Sequence, residues 1–354
     1  MPKRGQSKSR ARRESRRRAP SWADLPTEKL LEVRLCDLGV RIEGSLLADR
    51  IGQVLEELER RGIRFKPHFW VSDDWFTPGS VPGCAVPFYL LHPRLARLER
   101  SRMLQAEGAN RAECMKILRH EVGHAIDHAY RLNLRRKRQR LFGKSSKPYP
   151  RAYLPKPISR DYVQHLDYWY AQSHPDEDFA ETFAVWLQPR SNWRKTYAGW
   201  PAMRKLLYVD ELMREIAGRR ARVTSRRRVE PLEEIRKSLR QHYAEKQRYY
   251  GTDYPDFFDA DLRKLFSDAP EYADRETAAS FLRRVRPTIR HMVSRWTGHY
   301  EYTLDQVLKE IVGRCRKLRL RVAESPKQTT LDIAIMLTVN TMNFVYSGRR
   351  WLHL

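Results

Sequence analysis

The stretch HEVGHAIDH, residues 120–128, constrains the fold of this chain most, because it lies on the most regular helical pattern in the sequence. Asn110 followed by Glu113 is typical of a helix N-terminus, and after them apolar residues recur at spacings of three and four. This pattern predicts a helix with one apolar face. On the opposite face His120 and His124 lie one turn apart and project in the same direction.

Histidines at this spacing suit a zinc ion. Two imidazoles four residues apart on a helix can bind one Zn²⁺ at about 2.0 to 2.1 Å, and Glu121 is placed to hold the metal's water as a general base. The same side chains also suit the polar outer face of an amphipathic helix, so the motif needs a third ligand from elsewhere in the chain. Asp127 lies on the histidine face, where it would either orient a ligand or serve as an ordinary surface acid.

Residues 167–187 form the second informative stretch. His174 and Pro175 predict the start of a helix whose first turn is acidic, as the helix dipole favours. Glu177 and Glu181 share one face, where two like charges repel unless a cation lies beside them. A metal ion with its histidines would be that cation, and an exposed acidic stripe is the alternative. Spacing alone leaves either glutamate free to bind the metal and the other to hydrogen-bond a metal-bound imidazole.

Taken together, the two stretches resemble the gluzincin metallopeptidases. HEVGHAID followed by EDFAETF is similar to the catalytic domain of anthrax lethal factor and its Pro-Pro endopeptidase relatives, and HPDEDFAETFAVWL resembles a bacterial family of zinc-binding metallopeptidases with an HPxEDxAETFA motif. The first resemblance implies that Glu177 is the third zinc ligand and that Glu181 steadies a metal-bound imidazole. It also implies that Tyr170 stabilises the oxyanion. Tyr168 and Trp169 adjoin Tyr170, and because such an aromatic cluster is more often core than catalytic, Tyr168 stays an alternative. The resemblance covers residues 60–200 at most.

The charge of the chain is strongly basic and unevenly placed. The net charge is +26; residues 1–20 hold nine Lys or Arg and one Glu, and residues 131–160 hold eleven and no acid. The tract 219–228 contains six arginines. Such tracts are usually solvated chain, but they also suit a phosphate-rich or acidic partner. The alternative function is therefore a nucleic-acid-binding protein with a degenerate or DNA/RNA-tethered zincin fold, although the sequence assigns no residues to that binding.

The cysteines and the apolar segments indicate the cellular compartment in which the protein is expected. Four cysteines are scattered without a CxxC pair, which favours reduced thiols over disulfides or a cysteine zinc site. No apolar segment follows the basic N-terminus, so no secretory signal is expected. The longest apolar tract, 331–346, is interrupted by polar residues and is shorter than a membrane span requires. We therefore expect a cytoplasmic protein without a membrane anchor.

The order of the predicted elements favours an α+β fold. Apolar patterns predict strands near 33–42, 63–71 and 85–91, and a helix that Ser45 caps and Gly62 ends. These elements would form a small sheet beside the HExxH helix. The middle strand contains a proline and is expected at the sheet edge, where an extended peptide would pair with it by strand addition.

The domain organisation follows from composition and from the resemblance. Residues 1–21 are expected to be a disordered basic tail, and residues 22–215 a zincin-like metallopeptidase domain. Within this domain, 135–156 is expected to be a long surface loop. A basic linker at 216–230 would lead to an all-helical domain of unknown role at 231–354.

These observations predict zinc-dependent hydrolysis of a protein or peptide substrate. His120, His124 and Glu177 would hold Zn²⁺, Glu121 would be the general base, and Tyr170 would hydrogen-bond the oxyanion. A zinc-stabilised module without turnover is the third interpretation.

Overall fold

The computed structural model describes residues 20–150, 153, 156, 159–250 and 259–346. The predicted disordered tail lies outside these residues except for Pro20 and Ser21. Over the described residues the chain is mostly helical with two small two-stranded sheets, which is compatible with the expected α+β class.

The elements are numbered here in chain order. Up to residue 216 they are α1 Thr27–Leu31, α2 Leu46–Arg60, β1 His68–Ser72, β2 Gly83–Pro87, α3 Pro93–Met103, α4 Arg111–Tyr130, α5 Arg136–Phe142, α6 Pro175–Leu187, α7 Trp193–Thr196 and α8 Met203–Ile216. After it they are α9 Leu239–Tyr250, α10 Asp259–Leu265, β3 Phe266–Ser267, α11 Ala278–Thr297, α12 Glu301–Lys317, β4 Arg321–Val322 and α13 Pro326–Tyr346.

The main sheet is built around β2. β1 pairs with β2 in parallel along its whole length. On the other side of β2, the Ala85 N–H donates to Phe76 O at 2.8 Å and forms an isolated antiparallel bridge. The next residue, Thr77, hydrogen-bonds Glu121 on α4. The sheet edge beside α4 is therefore the segment at 74–77, and β1, the predicted edge strand, lies on the opposite side of β2.

The predicted strand near 33–42 is wrong. Leu35–Asp37 form a 3-10 turn, and Arg34 makes an isolated bridge to Ser238. Leu35 and Leu38 are nonetheless buried, in a core shared with α1, α3 and α9. The apolar alternation in this segment therefore reflects burial against helices, without a neighbouring strand that could pair with it.

Part of the predicted surface loop at 135–156 is folded instead, and its residues 151–152 and 154–155 lie outside the described residues. α5 occupies the first part, and Arg138 on this helix is completely buried. Its guanidinium donates to Asp127 Oδ2 at 3.0 Å and to Asp176 Oδ1 at 2.6 Å. Because these carboxylates belong to α4 and α6, α5 ties the two helices together.

α4 and α6 pack directly against each other in the main core. Most residues of both helices are buried. At their contact a Cβ on Gly123 would lie 3.0 Å from Ala180 Cα and 3.1 Å from Phe183 Cδ1. The two backbones therefore approach as closely as they do because position 123 carries no side chain.

The C-terminal helices form a core of their own. α10 to α13 contribute its apolar residues, and β3 pairs with β4 in antiparallel orientation over two residues, so this region is not all-helical as predicted. α11 runs through Pro287, although a proline inside a helix usually kinks or ends it. The helix continues because its apolar face is buried on both sides of the proline, through Phe281, Leu282, Ile289 and Val293.

α9 belongs to a different core from the helices that follow it. Leu239 and Tyr243 pack with α1 and α3, and Tyr300 at the start of α12 packs against the same cluster. The boundaries at 215 and 231 stay predictions, since the cores do not divide the chain at either position. In the described part of the chain, no helix is both long enough and apolar enough to cross a bilayer.

Replacing Gly123 with alanine is expected to destabilise the fold. The added Cβ meets the α6 backbone at Ala180, which can yield only if the helix moves, so we expect a loss of about 1 to 3 kcal/mol in the free energy of unfolding. Gly52→Ala in α2 is the matched control, because nothing lies within 4 Å of its Cβ position. There alanine should stabilise the helix by about 0.5 to 1 kcal/mol. Urea denaturation measures both, and equal stability of the two variants would contradict the close contact.

Candidate metal centre

Three side chains converge between α4 and α6. His120 Nε2 lies 2.9 Å from Glu177 Oε2, and His124 Nε2 lies 3.1 Å from the same oxygen. The two Nε2 atoms are 3.1 Å apart. All three residues are buried. The fold thus brings the two histidines of the HExxH stretch and the remote glutamate to one point.

Glu181 contacts His120 from the other side of the ring. Its Oε1 lies 2.9 Å from His120 Nδ1, and its Oε2 accepts a hydrogen bond from Leu166 N at 2.8 Å. Because Nδ1 and Nε2 are on different edges of the imidazole, Glu181 and Glu177 occupy different positions around His120. Sequence spacing alone did not distinguish these positions.

The charges of this cluster compensate one another. Burial would raise the pKa of Glu177, but His124 and His120 hold it well below its usual range. Burial would lower the pKa of His120, but hydrogen bonds to Glu177 and Glu181 raise it well above its usual value. In both cases the partner outweighs desolvation.

The donor set fits a zinc ion. Ligand atoms of His120, His124 and Glu177 all lie within 4.8 Å of one another. Their separations of 2.9 to 3.1 Å are close to the roughly 3.4 Å between ligand atoms around a tetrahedral Zn²⁺. Two imidazole nitrogens and one carboxylate, with a second carboxylate behind an imidazole, are the ligand types of catalytic zinc sites.

Glu121 lies beside the cluster and is not part of it. Its Oε2 accepts a hydrogen bond from the Thr77 hydroxyl at 2.8 Å, and the residue lines the same cavity as the two histidines. A carboxylate held next to a metal site in this way is positioned to contact water bound there.

Asp127 lies further along α4, where it pairs with Arg138 at 3.0 Å. Burial raises the pKa of Asp127 to about 6, although Arg138 opposes the shift. Asp176 contacts the same guanidinium at 2.6 Å. Asp127 therefore joins α4 to α5, and its role in orienting a metal ligand stays a prediction.

Tyr170 lies beside His120 in the 3-10 turn Asp167–Gln172. The centroids of the two rings are 5.6 Å apart, and Tyr170 lines the cavity. Burial, reinforced by the charge of Glu177, raises the pKa of Tyr170 well above its usual value, so its hydroxyl stays protonated. The side chain of Tyr168, the alternative, lies outside what the structure describes.

Sequence reasoning missed Tyr149. Its hydroxyl donates to Glu177 Oε1 at 2.7 Å, and its ring stacks on His174 with a centroid separation of 3.8 Å. His174 in turn caps α6, because its Nδ1 accepts a hydrogen bond from Asp176 N at 3.1 Å. Tyr149 stands in the expected loop among Lys, Ser and Pro, and no local pattern there points to Glu177.

The cluster opens into a cavity of about 920 Å³. Part of its lining comes from α4, from residues 74–79 and from the segment that leads into α6. The C-terminal part of the lining, called the far wall below, consists of Tyr250, Gly298, His299, Tyr300 and Thr303. A cavity of this size accommodates a ligand of several residues.

Removing Glu177 is expected to weaken zinc binding more than removing Glu181. Glu177→Ala deletes a ligand atom and should abolish stoichiometric zinc, whereas Glu181→Ala deletes only the contact with His120 and should weaken the affinity by about 10- to 100-fold. Metal analysis and chelator competition measure both. Asp210→Ala, which removes a buried carboxylate that bonds Trp186 outside the cavity, is the control and should keep zinc. The opposite order would make Glu181 the ligand.

Comparison with known proteins gives one match. Residues 99–203 match a family described as "Putative zinc-binding metallo-peptidase". No curated protein and no solved structure matches the chain at a significant level. The matched segment covers less than a third of the chain but contains α4 and α6, and with them all the residues of the metal cluster. In coarse terms, the match supports a zinc metallopeptidase.

Proposed function

We propose that this chain is a zinc-dependent peptidase that hydrolyses peptide bonds by the gluzincin mechanism. The observation that carries the proposal is the contact of His120 Nε2 and His124 Nε2 with one oxygen of Glu177, at 2.9 and 3.1 Å. An exposed polar helix face does not fit, because these side chains are buried and line a cavity. The family match over 99–203 supports the same chemistry in coarse terms.

His120, His124 and Glu177 would hold the zinc ion, and Glu181 would position the His120 ring. This division of roles is the one that the resemblance to lethal factor implies. The hydrogen bonds support it, since Glu181 contacts the ring nitrogen that does not face Glu177. Bound Zn²⁺ supplies a water whose pKa is lowered to about 7 and polarises the scissile carbonyl.

Glu121 would act as the general base and then as the general acid. Its carboxylate accepts a proton from the attacking water and passes it to the leaving amine. The hydrogen bond from Thr77 to Glu121 Oε2 holds the side chain at the cavity surface, so its orientation is set before substrate binds.

Two tyrosines would assist at different atoms. Tyr170 keeps its hydroxyl proton and can donate a hydrogen bond to the oxyanion of the tetrahedral intermediate. Tyr149 donates to Glu177 Oε1, which orients the carboxylate so that Oε2 faces the two histidines. Tyr149 is therefore a positioning residue in this proposal.

The substrate would lie in the cavity as an extended peptide. The backbone of Phe76 pairs with β2, and the segment at 74–77 lines the cavity beside the metal centre. A peptide laid along this segment would find backbone groups with which to pair, as in strand addition. Residues 227–230 lie against one face of β1, where the carbonyls of Val229 and Glu230 accept hydrogen bonds from the side chains of Trp70 and Ser72. The pairing of a peptide with the β1 edge stays a prediction.

We place the protein in the cytoplasm. All four of its cysteines are free thiols, and three of them are buried. Free thiols are the usual state of cysteine in a reducing compartment, which is the support for this proposal.

Glu121→Gln is expected to keep zinc and lose peptidase activity. Glutamine keeps the shape of the side chain but cannot accept the proton, so turnover should fall by about 10² to 10⁴. Digestion of a quenched peptide library, together with metal analysis of the same protein, measures both properties. Glu211→Gln, at an exposed ion pair on α8, is the control. Full turnover by the zinc-loaded Glu121 variant would refute the role given to this residue.

A second proposal concerns the arginine tract at 219–228. We propose that it binds the phosphate backbone of a nucleic acid. Arg219 and Arg228 pair with glutamates, whereas Arg220, Arg226 and Arg227 are exposed and have no carboxylate within 4 Å among the described residues. Unpaired guanidinium groups on a surface suit phosphate oxygens.

Replacing Arg220, Arg226 and Arg227 together with glutamine is expected to weaken DNA binding and its salt dependence. For every phosphate that the variant no longer neutralises, the slope of log affinity against log salt should fall by about one. Fluorescence anisotropy with duplex DNA over a salt series measures the slope. A triple variant of exposed but ion-paired arginines, Arg60, Arg263 and Arg284, is the control. An unchanged slope in the test variant would remove the tract from any nucleic-acid site.

A further inference from the structure

The charge of the cavity is opposite in sign to that of the chain. The protein carries a net charge of +26. Among the described residues that line the cavity, however, seven carry carboxylates and one, Lys116, carries a permanent cation. Three of these carboxylates have partners: Glu177 contacts His120, Glu121 contacts Thr77 and Asp176 contacts Arg138. The other four belong to Asp74, Glu107, Glu113 and Asp167. The cavity would therefore attract a cationic ligand that the rest of the surface repels.

Carboxylates outnumber cations most clearly near the far wall. Lys246 on α9 is bound to Glu99, with its Nζ 2.9 Å from Oε1, and lies 3.9 Å from Asp74 Oδ2. Within the described residues, no cation lies within 4 Å of the Glu107 carboxylate. The Lys246 ammonium group is therefore shared by Asp74 and Glu99, and the Glu107 carboxylate has no cation at this distance among the described residues. A further cation between Asp74 and Glu107 would complete the pairing.

The titration of Glu107 is consistent with this imbalance. Desolvation by the surrounding protein and the charge of Asp74 raise the pKa of Glu107, although its side chain is exposed to the cavity. Glu113 and Glu121 act in the same direction. A ligand cation near these groups would relieve their mutual repulsion.

The rings that line the cavity suit the same kind of ligand. Tyr149, Tyr153 and Tyr170 lie on the metal side, and Tyr250 and Tyr300 on the far wall stack on each other with centroids 4.4 Å apart. Aromatic rings beside carboxylates bind guanidinium and ammonium groups well, because the ring attracts the cation and packs on its alkyl stem.

We propose that the cavity binds peptides that carry arginine or lysine side chains, and that Asp74 and Glu107 receive the cation of one such side chain. The inference rests on the proposed peptidase function, since the metal centre in the same cavity would position the peptide backbone. An acidic peptide would meet the same carboxylates and be repelled.

The test compares two peptides that differ only in charge. The probe is a fluorescein-labelled peptide with three arginines among alanines and leucines, and its twin has citrulline, which is nearly isosteric and uncharged, at the same three positions. Both are titrated by fluorescence anisotropy into zinc-treated full-length Glu121→Gln protein. We expect the arginine peptide to bind about tenfold more tightly or better, the effect of one charge-assisted hydrogen bond.

Two further variants locate the preference. Asp74→Asn with Glu107→Gln should bring the ratio of the two affinities close to one. Glu43→Gln with Glu234→Gln removes the same charge from exposed positions outside the cavity and should leave the ratio unchanged. Zinc content and thermal unfolding of each variant check that the fold is retained.

The outcomes separate this inference from the peptidase proposal. Equal affinity for the two peptides, or an unchanged ratio in the folded Asp74 and Glu107 variant, would overturn the inference even if the wild type hydrolyses peptides. A preference for arginine that depends on Asp74 and Glu107 supports it. If that preference is found and the zinc-loaded wild type cleaves neither peptide nor any member of the quenched library, the peptidase proposal falls and the cavity stands as a binding site for basic peptides.

Discussion

The contact between α4 and α6 at Gly123 determines the geometry of the candidate metal centre. Gly123 immediately precedes His124, and Ala180, which it faces, immediately precedes Glu181. The ligand atoms therefore flank a point where two backbones approach so closely that a Cβ would lie 3.0 Å from Ala180 Cα. A wider helix separation would move the glutamate oxygens away from the imidazoles. The small residues at this contact are thus as necessary to the site as the side chains that form it.

Such a cluster has a cost in folding, because ionisable groups lose hydration when they are buried. His120, Glu177 and Glu181 are almost completely buried, yet each has a partner of opposite character within 2.9 Å. Replacing a buried pair of this kind with apolar residues of similar volume is often neutral or stabilising, so stability alone does not account for the cluster. An arrangement that stability does not favour is typical of a functional site. Arg138, buried between Asp127 and Asp176, extends the same pattern to the helices behind the site.

The sequence predicted the helices of the site well because their signals are local. The Asn110 side chain accepts a hydrogen bond from Glu113 N at 2.9 Å, and His174 caps α6, as their positions before each apolar pattern indicated. Features that depend on distant partners were missed. The sequence of α5 is typical of a basic loop, because nothing nearby in sequence indicates that Arg138 is buried. The partners of Arg138 come from two other helices. A proline inside a helix usually kinks or ends it, but α11 continues through Pro287 because apolar residues on both sides of the proline are buried.

Residues of the far wall could not have been assigned to the site from the sequence, because they lie more than seventy positions after the last of the metal ligands. Their location depends on the core that α9 shares with α1 and α3, because Tyr250 and Tyr300 pack against that core. The hydroxyl of Thr303 donates to Tyr250 O and links α12 to the end of α9. The core of α1, α3 and α9 contains none of the proposed metal ligands. The far wall of the cavity is therefore formed by residues that take no part in the proposed chemistry, so substitutions there can change which peptide binds while the metal centre stays intact.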